Sequence, residues 1–164
     1  MFNQFHLLIS TLLLSSCYAL EYRDCGNGQV KGIKVDVCDP EQETCVLTKG
    51  KPFTVELDLI PEHDADAVTF HLSSLVFGFP VELPVDDNDA CGQKLIECPV
   101  KAGVPTKFTY IGKVDASIPM SSVTVVFNLK NGDTEIACVE SDLELQDPLP
   151  VDENETESQS HQEL

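Results

Sequence analysis

Two acidic segments combine side chains of the kinds that bind metal ions. Residues 62–66 (EHDAD) place a histidine among three carboxylates, but they fall between two predicted strands, where a solvated loop fixes no coordination geometry. Residues 87–92 (DNDACG) imitate the start of a calcium-binding EF-hand loop. The fifth position of that loop is Cys91, however, and the twelfth is Cys98 instead of glutamate. We therefore predict no metal site in either segment.

His71 and Ser73 are residue types that hydrolases use for acid–base and nucleophilic catalysis. They lie two positions apart on a predicted strand, so both side chains face outward. The serine is not part of a G-x-S-x-G motif, and the sequence contains neither an H-E-x-x-H motif nor a glycine-rich phosphate loop. We predict that the protein is not an enzyme and needs no cofactor.

The cysteines give the strongest chemical signal. Once Cys17 is assigned to a signal peptide, an even number remains: Cys25, Cys38, Cys45, Cys91, Cys98 and Cys138. This pattern is typical of a disulfide framework formed in an oxidising compartment, although six cysteines allow fifteen pairings. The simplest pairing joins Cys38 to Cys45 and Cys91 to Cys98, and links Cys25 to Cys138. It leaves no free thiol for catalysis.

Residues 1–19 have the features of a secretory signal peptide. Residues 2–19 contain no Asp, Glu, Lys or Arg, and the apolar run at 7–14 is too short to span a bilayer. Cys17, Tyr18 and Ala19 form a small-x-small cleavage site, so we predict cleavage after Ala19. The mature product is then expected to be soluble.

The net charge restricts the possible partners. With 28 acidic and 10 basic side chains, the formal net charge is −18. Such a charge argues against nucleic-acid binding and opposes adsorption to anionic lipid surfaces. Any binding of lipid must therefore rely on a pocket.

Alternating apolar and polar residues dominate the mature chain and predict an antiparallel β-sandwich of about seven short strands. In residues 53–59 (FTVELDL), Phe, Val and Leu face inward while Thr, Glu and Asp face outward. Asn131 and Gly132 predict a type I′ hairpin turn, and residues 76–83 are assigned to one strand. Helix is expected only as a turn near residues 86–94.

The composition changes after Gln146. Residues 147–164 contain no Lys or Arg and many carboxylates, so we predict a disordered acidic tail behind a domain that covers residues 20–146. Asn154 begins an N-glycosylation sequon, N-E-T. The last four residues, HQEL, approach the KDEL-type retrieval address. The lumen of the endoplasmic reticulum is therefore the alternative to secretion.

Several motifs together resemble one family. They are DCG at 24–26, CVL at 45–47, KGKPF at 49–53, GFPV at 78–81, ACG at 90–92, CPVKAG at 98–103 and IAC at 136–138. In this order and spacing they resemble the ML family of secreted lipid-recognition domains, which includes the Niemann-Pick type C2 sterol-transfer protein and the group 2 mite allergens. The resemblance covers residues 22–146.

The resemblance implies an immunoglobulin-like sandwich with the three bridges given above and a lipid pocket between sheets that are splayed at one end. Inner faces built of Val, Leu, Ile and Phe independently favour such an apolar slot. By resemblance, the pocket wall includes Val81 and Leu83, and the mouth lies near Val114 and Ile118. Three aromatic residues could either reach the pocket or pack the core: Phe70, Tyr110 and Phe127. An aromatic residue occupies the position of Leu83 in the sterol-transfer members.

The function expected from this resemblance is binding and transfer of a single sterol, fatty acid or phospholipid. The protein would be a monomer in the extracellular space or the endolysosomal lumen, with a membrane or a receptor as docking partner. The alternative is an innate-immune adaptor that presents microbial lipid to a receptor. That role favours a cationic rim, for which the candidates are Lys94, Lys101, Lys107 and Lys113.

Overall fold

Two β-sheets face each other in the computed structural model, which describes residues 20–39, 41–42 and 44–150. Within these residues there are nine strands and no helix: β1 (Arg23–Asp24), β2 (Val30–Val35), β3 (Cys45–Thr48), β4 (Pro52–Leu59), β5 (Thr69–Val76), β6 (Phe79–Glu82), β7 (Thr106–Lys113), β8 (Ser122–Asn131) and β9 (Thr134–Gln146). The signal peptide, Asn154 and the HQEL terminus lie outside the described residues, so these assignments stay predictions.

The larger sheet has the strand order β1-β9-β8-β5-β6, and β3 also pairs with β9. The smaller sheet has the order β2-β4-β7. All pairs are antiparallel except β3 with β9, which run parallel. The expected two-sheet β-sandwich is thus confirmed. None of the described residues forms a helix suited to crossing a membrane.

The alternation in β4 has the predicted effect. Val55, Leu57 and Leu59 are buried, while Asp58 is exposed. On the larger sheet Phe70 is buried in the same core, and its ring centroid lies 5.8 Å from that of Phe108. These side chains join the sheets face to face.

Two hairpins differ from the sequence-based assignment. The strand expected at 76–83 is divided, because the chain turns at Phe77 and Gly78, whose φ angles are 52° and 83°. Positive φ at both central residues is the type I′ arrangement. Phenylalanine rarely adopts positive φ, so the sequence does not predict a turn at this position. The hairpin between β8 and β9 is present, but its predicted turn type is wrong. Asn131 pairs with Thr134, and only Gly132 has positive φ (59°), as in a type II′ turn.

All three predicted disulfides are present. Cys25–Cys138 spans 113 positions and fastens the end of β1 to β9, where the Cys25 amide also donates to the carbonyl of Cys138 at 3.1 Å. Cys38–Cys45 and Cys91–Cys98 each span seven positions. The first of these short bridges connects the chain after β2, in the smaller sheet, to β3, in the larger one.

The long bridge is expected to stabilise the fold more than a short one, because it restricts a much larger loop in the unfolded chain. Replacing both Cys25 and Cys138 by serine should lower the free energy of unfolding by about 5 kcal/mol, and replacing Cys38 and Cys45 by about 2.5 kcal/mol. Guanidinium unfolding of the two double variants measures this difference. Equal losses would contradict the loop-length explanation.

Candidate functional site

A cavity of about 280 Å³ lies between the two sheets. Both sheets contribute to its wall: β2, β4 and β7 on one side, and β3, β5, β8 and β9 on the other. Its apolar lining residues include Ile33, Val35, Leu47, Phe53, Val55, Leu72, Leu83, Tyr110, Val114, Ile118, Met120, Val123, Val125, Phe127, Val139, Leu143 and Leu145. The cavity can therefore enclose a small hydrophobic molecule.

Aromatic rings close one end of the cavity. Phe70 and Phe108 are almost wholly buried beyond the lining residues. The Phe70 ring centroid lies 5.1 Å from Tyr110 and 6.0 Å from Phe127, and both of these rings line the cavity. The cluster therefore forms a floor against which an apolar group would pack.

Gly112, on β7 near the aromatic floor, leaves space for neighbouring aromatic rings because it has no side chain. A side chain at this position would meet the Phe53 ring, because an added Cβ would stand 2.7 Å from Phe53 Cζ and 2.8 Å from Tyr110 Cε1. Glycine thus allows the Phe53 ring of β4 to lie over the backbone of β7 and complete the wall.

The opening lies where β7 ends and the chain crosses to β8. Lys113, Asp115 and Met120 line the cavity there and are exposed to solvent. Asp115 accepts hydrogen bonds from the Ser117 hydroxyl at 2.6 Å and the Ser117 amide at 2.7 Å, and these bonds lower the pKa of its carboxyl group. The mouth therefore combines the Lys113 side chain with the Asp115 carboxylate.

Three polar side chains lie deeper in the wall. Burial, and to a smaller extent the charge of Asp86, raise the pKa of the Tyr110 phenol, which stays neutral. The Ser141 hydroxyl donates to the carbonyl of Glu21 at 3.1 Å. The Ser74 hydroxyl is buried without a hydrogen-bond partner in the described part of the chain.

Five of the seven residues suggested by the resemblance line the cavity: Leu83, Val114, Ile118, Tyr110 and Phe127. Phe70 does not line it, because it packs behind the Tyr110 and Phe127 rings. Val81 does not line it either, although it stands opposite Ser74 in the register of the sheet. It belongs to β6, the edge strand, where it is 48% exposed.

Many wall residues were not singled out from the sequence. They include Ile33, Val35, Leu47, Phe53, Val55, Leu72, Val123, Val125, Val139, Leu143 and Leu145. Alternation predicts that such residues face inward, but it cannot separate the wall of a cavity from a packed core, because both use the same apolar side chains.

The other acidic and basic candidates form local contacts. Among the described residues, no three His, Cys, Asp or Glu side chains come together as a group able to hold a metal ion. Asp64 accepts from the Lys101 ammonium at 3.1 Å, and Lys107 donates to Glu56 at 3.0 Å. Of the four lysines considered for a cationic rim, only Lys113 lines the cavity.

The sequence is similar to a known family model and to several known proteins. The family model described as ML domain matches residues 19–145. The Glycyphagus domesticus protein named mite group 2 allergen Gly d 2.02 is 31% identical over 119 residues, which cover 73% of this chain and 92% of that protein. The Drosophila melanogaster protein named NPC intracellular cholesterol transporter 2 homolog a is 28% identical over 131 residues, which cover 78% and 88%.

A solved structure shows the same fold. The crystal structure of a Niemann-Pick type C2 protein from the Japanese carpenter ant aligns with a TM-score of 0.71 and 22% sequence identity. The alignment covers 77% of this chain and 100% of that one.

Truncating a cavity-lining leucine should cost less stability than truncating a core leucine. Leu57→Ala should lower the free energy of unfolding by about 2–5 kcal/mol, because it opens a new void in packed surroundings. Leu143→Ala should cost clearly less, because that side chain already borders open space. Urea unfolding of both variants tests this. Equal costs would mean that Leu143 is packed as tightly as Leu57 and does not border a cavity.

Proposed function

This chain belongs to the ML-domain family, and on that premise we propose that it holds one small lipid between its two sheets and carries it through an aqueous compartment. The observation that carries the proposal is the apolar cavity of about 280 Å³, which has an aromatic floor at one end and the polar side chains of Lys113 and Asp115 at its mouth. Binding and release, without a chemical step, are the activity that such a site supports.

The cavity favours a lipid with one chain or one ring system. Its volume, about 280 Å³, lies just below the range of about 300–1,000 Å³ that is usual for small-molecule pockets. Removing about 300 Å² of hydrocarbon from water supplies roughly 7–8 kcal/mol, before the cost of association is subtracted. The apolar part would lie against Phe127 and Tyr110, with the polar end near Lys113 and Asp115 at the mouth.

A sterol or a fatty acid is the ligand class we propose. The Drosophila relative is named a cholesterol transporter homologue, which supports a sterol. The chain has Leu83 where the resemblance places an aromatic residue in sterol-transfer members, which leaves space for a flexible acyl chain. Displacement of a fluorescent fatty acid by cholesterol would rank the two ligands directly.

The hairpin between β5 and β6 is suited to dock on a membrane. Phe77 is 98% exposed and Phe79 is 74% exposed, an unusual position for two neighbouring aromatic side chains. The chain then passes from β6 directly to Leu83 and Pro84, which line the cavity. Because the net charge of −18 opposes anionic surfaces, we propose that the hairpin docks on zwitterionic bilayers.

We further propose a luminal or extracellular location, secreted or endolysosomal, because the sequence predicts a signal peptide and three disulfides are present. Retention in the endoplasmic reticulum through HQEL is the alternative location. The adaptor alternative has less support, because the cavity is too small for several acyl chains and Lys113 is the one rim candidate that lines it.

Filling the cavity should abolish lipid binding. Val125→Phe places a ring in the cavity and should weaken binding of a fluorescent fatty acid or sterol by about tenfold or more. Val126→Phe is the matched control, because the next residue of β8 points to the opposite face and should leave affinity unchanged. Thermal unfolding confirms that both variants are folded. Unchanged affinity in Val125→Phe, or no lipid binding by the wild type, would refute the carrier proposal.

Removing the exposed rings should slow delivery without weakening binding. The double variant Phe77→Ser/Phe79→Ser should transfer lipid to phosphatidylcholine vesicles several-fold more slowly, with equilibrium affinity unchanged. Ile111→Ser removes another exposed apolar side chain, on β7, and should transfer at the wild-type rate. Stopped-flow fluorescence measures the rates. Equal rates for all three proteins would exclude the hairpin as the docking element.

A further inference from the structure

We infer that the Ser74 hydroxyl hydrogen-bonds a hydroxyl group on the bound lipid, so that the cavity selects a lipid oxygenated along the part that it encloses. This inference rests on the proposed carrier function and specifies the ligand class further. Ser74 lies on β5, is 3% exposed and lines the cavity. Its Oγ atom has no hydrogen-bond partner in the described residues.

A buried hydroxyl without a partner is unusual, because most buried polar side chains form at least one hydrogen bond. A serine hydroxyl can both donate and accept. The nearest cavity-facing residues in the sheet cannot satisfy it: Leu72 and Val125 are apolar. A bound molecule that enters between the sheets is therefore the available partner.

The register of the sheet shows how deep this hydroxyl lies. Ser74 pairs with Val125, and Val125 pairs with Ser141, so one row across the sheet contains two serines separated by a valine. Strands are about 4.8 Å apart, which puts the two serines roughly 10 Å from each other, too far for a hydrogen bond. Ser141 donates to Glu21 instead, so Ser74 is the member of the row left without a partner.

The row lies between the floor and the mouth. The neighbouring row, formed by Leu72, Phe127 and Val139, is two residues closer to the aromatic floor, a distance of about 7 Å along each strand. The mouth residues Lys113 and Asp115 lie on the β7 side. The Ser74 hydroxyl thus faces the middle of a lipid that enters apolar end first, whereas the polar head of that lipid remains at the mouth.

This position discriminates between lipids that differ by one oxygen. A plain hydrocarbon beside Ser74 leaves the hydroxyl unsatisfied, whereas a hydroxyl at the matching carbon pairs with it. The wall neighbours Leu72 and Val125 are apolar and the Ser141 hydroxyl is already bonded to Glu21, so the preference should depend on Ser74. It should also depend on where along the lipid the oxygen is placed.

The test compares hexadecanoic acid with a series of its monohydroxy derivatives, in which the hydroxyl occupies successive chain positions. Isothermal titration calorimetry with wild-type protein should show at least one derivative that binds about tenfold more tightly than the parent acid. Ser74→Ala should lose this preference and bind the parent at least as tightly as the wild type does. Ser73→Ala, which alters the neighbouring residue on the opposite face, should retain the preference.

The outcomes separate this inference from the carrier proposal. If the wild type binds the parent acid but prefers no derivative, the inference is wrong and the carrier function stands, as it would if a water molecule satisfied Ser74. A preference that persists in Ser74→Ala also refutes the inference, because a group other than Ser74 must then bond to the lipid hydroxyl. If no fatty acid or sterol binds to the wild type, both proposals fail.

Discussion

The rest of the structure depends on how four aromatic rings hold the sheets apart. Phe70 contacts Phe108, Tyr110 and Phe127 with centroid distances of 5.1–6.0 Å, and these rings span the space between the sheets. Beyond them several inward residues are small, such as Val125, Ser74 and Gly112, although the Phe53 ring lies over Gly112 in the same wall. Because the rings set the separation, these shorter side chains cannot meet across it, and the gap persists as a cavity.

How much could be predicted from the sequence depends on the scale of the question. Alternation in segments such as 53–59 predicts the inner and outer faces correctly, and the grouping of the cysteines predicts all three bridges. The cavity wall is less predictable, because Leu57 and Leu143 are the same residue type on inward faces, yet one packs in the core and the other borders empty space. That difference arises from the separation of the sheets, which no local pattern encodes.

The β5–β6 hairpin shows where local rules and observed structure disagree. Phe77 combines positive φ with nearly complete exposure, and each is unfavourable for a large aromatic residue. Sequence rules expect asparagine, aspartate or glycine at such a turn, so the sequence alone predicts one continuous strand over residues 76–83. A conflict of this kind is typical of sites where stability is given up for an interaction with another surface.

The positions of the disulfides hold some edges of the sandwich more firmly than others. Cys25–Cys138 anchors β9, which also pairs with β1, β3 and β8 and carries Val139, Ser141, Leu143 and Leu145 of the wall, so this side is braced along its length. Cys38–Cys45 ties the smaller sheet to the larger along the β2–β3 edge. The β7 edge is tied near its middle, because the Thr109 amide donates to the Leu95 carbonyl at 2.7 Å inside the loop closed by Cys91–Cys98, and the Phe70 amide of β5 donates to the Asn88 carbonyl just before that loop at 2.9 Å. Among the described residues no disulfide lies beyond this tie, beside Val114 and Ile118. The two sheets are thus fastened along both edges, and a bulkier guest would be accommodated where no bridge lies, by displacing the end of β7 and the chain after it at the mouth while β9 remains in place.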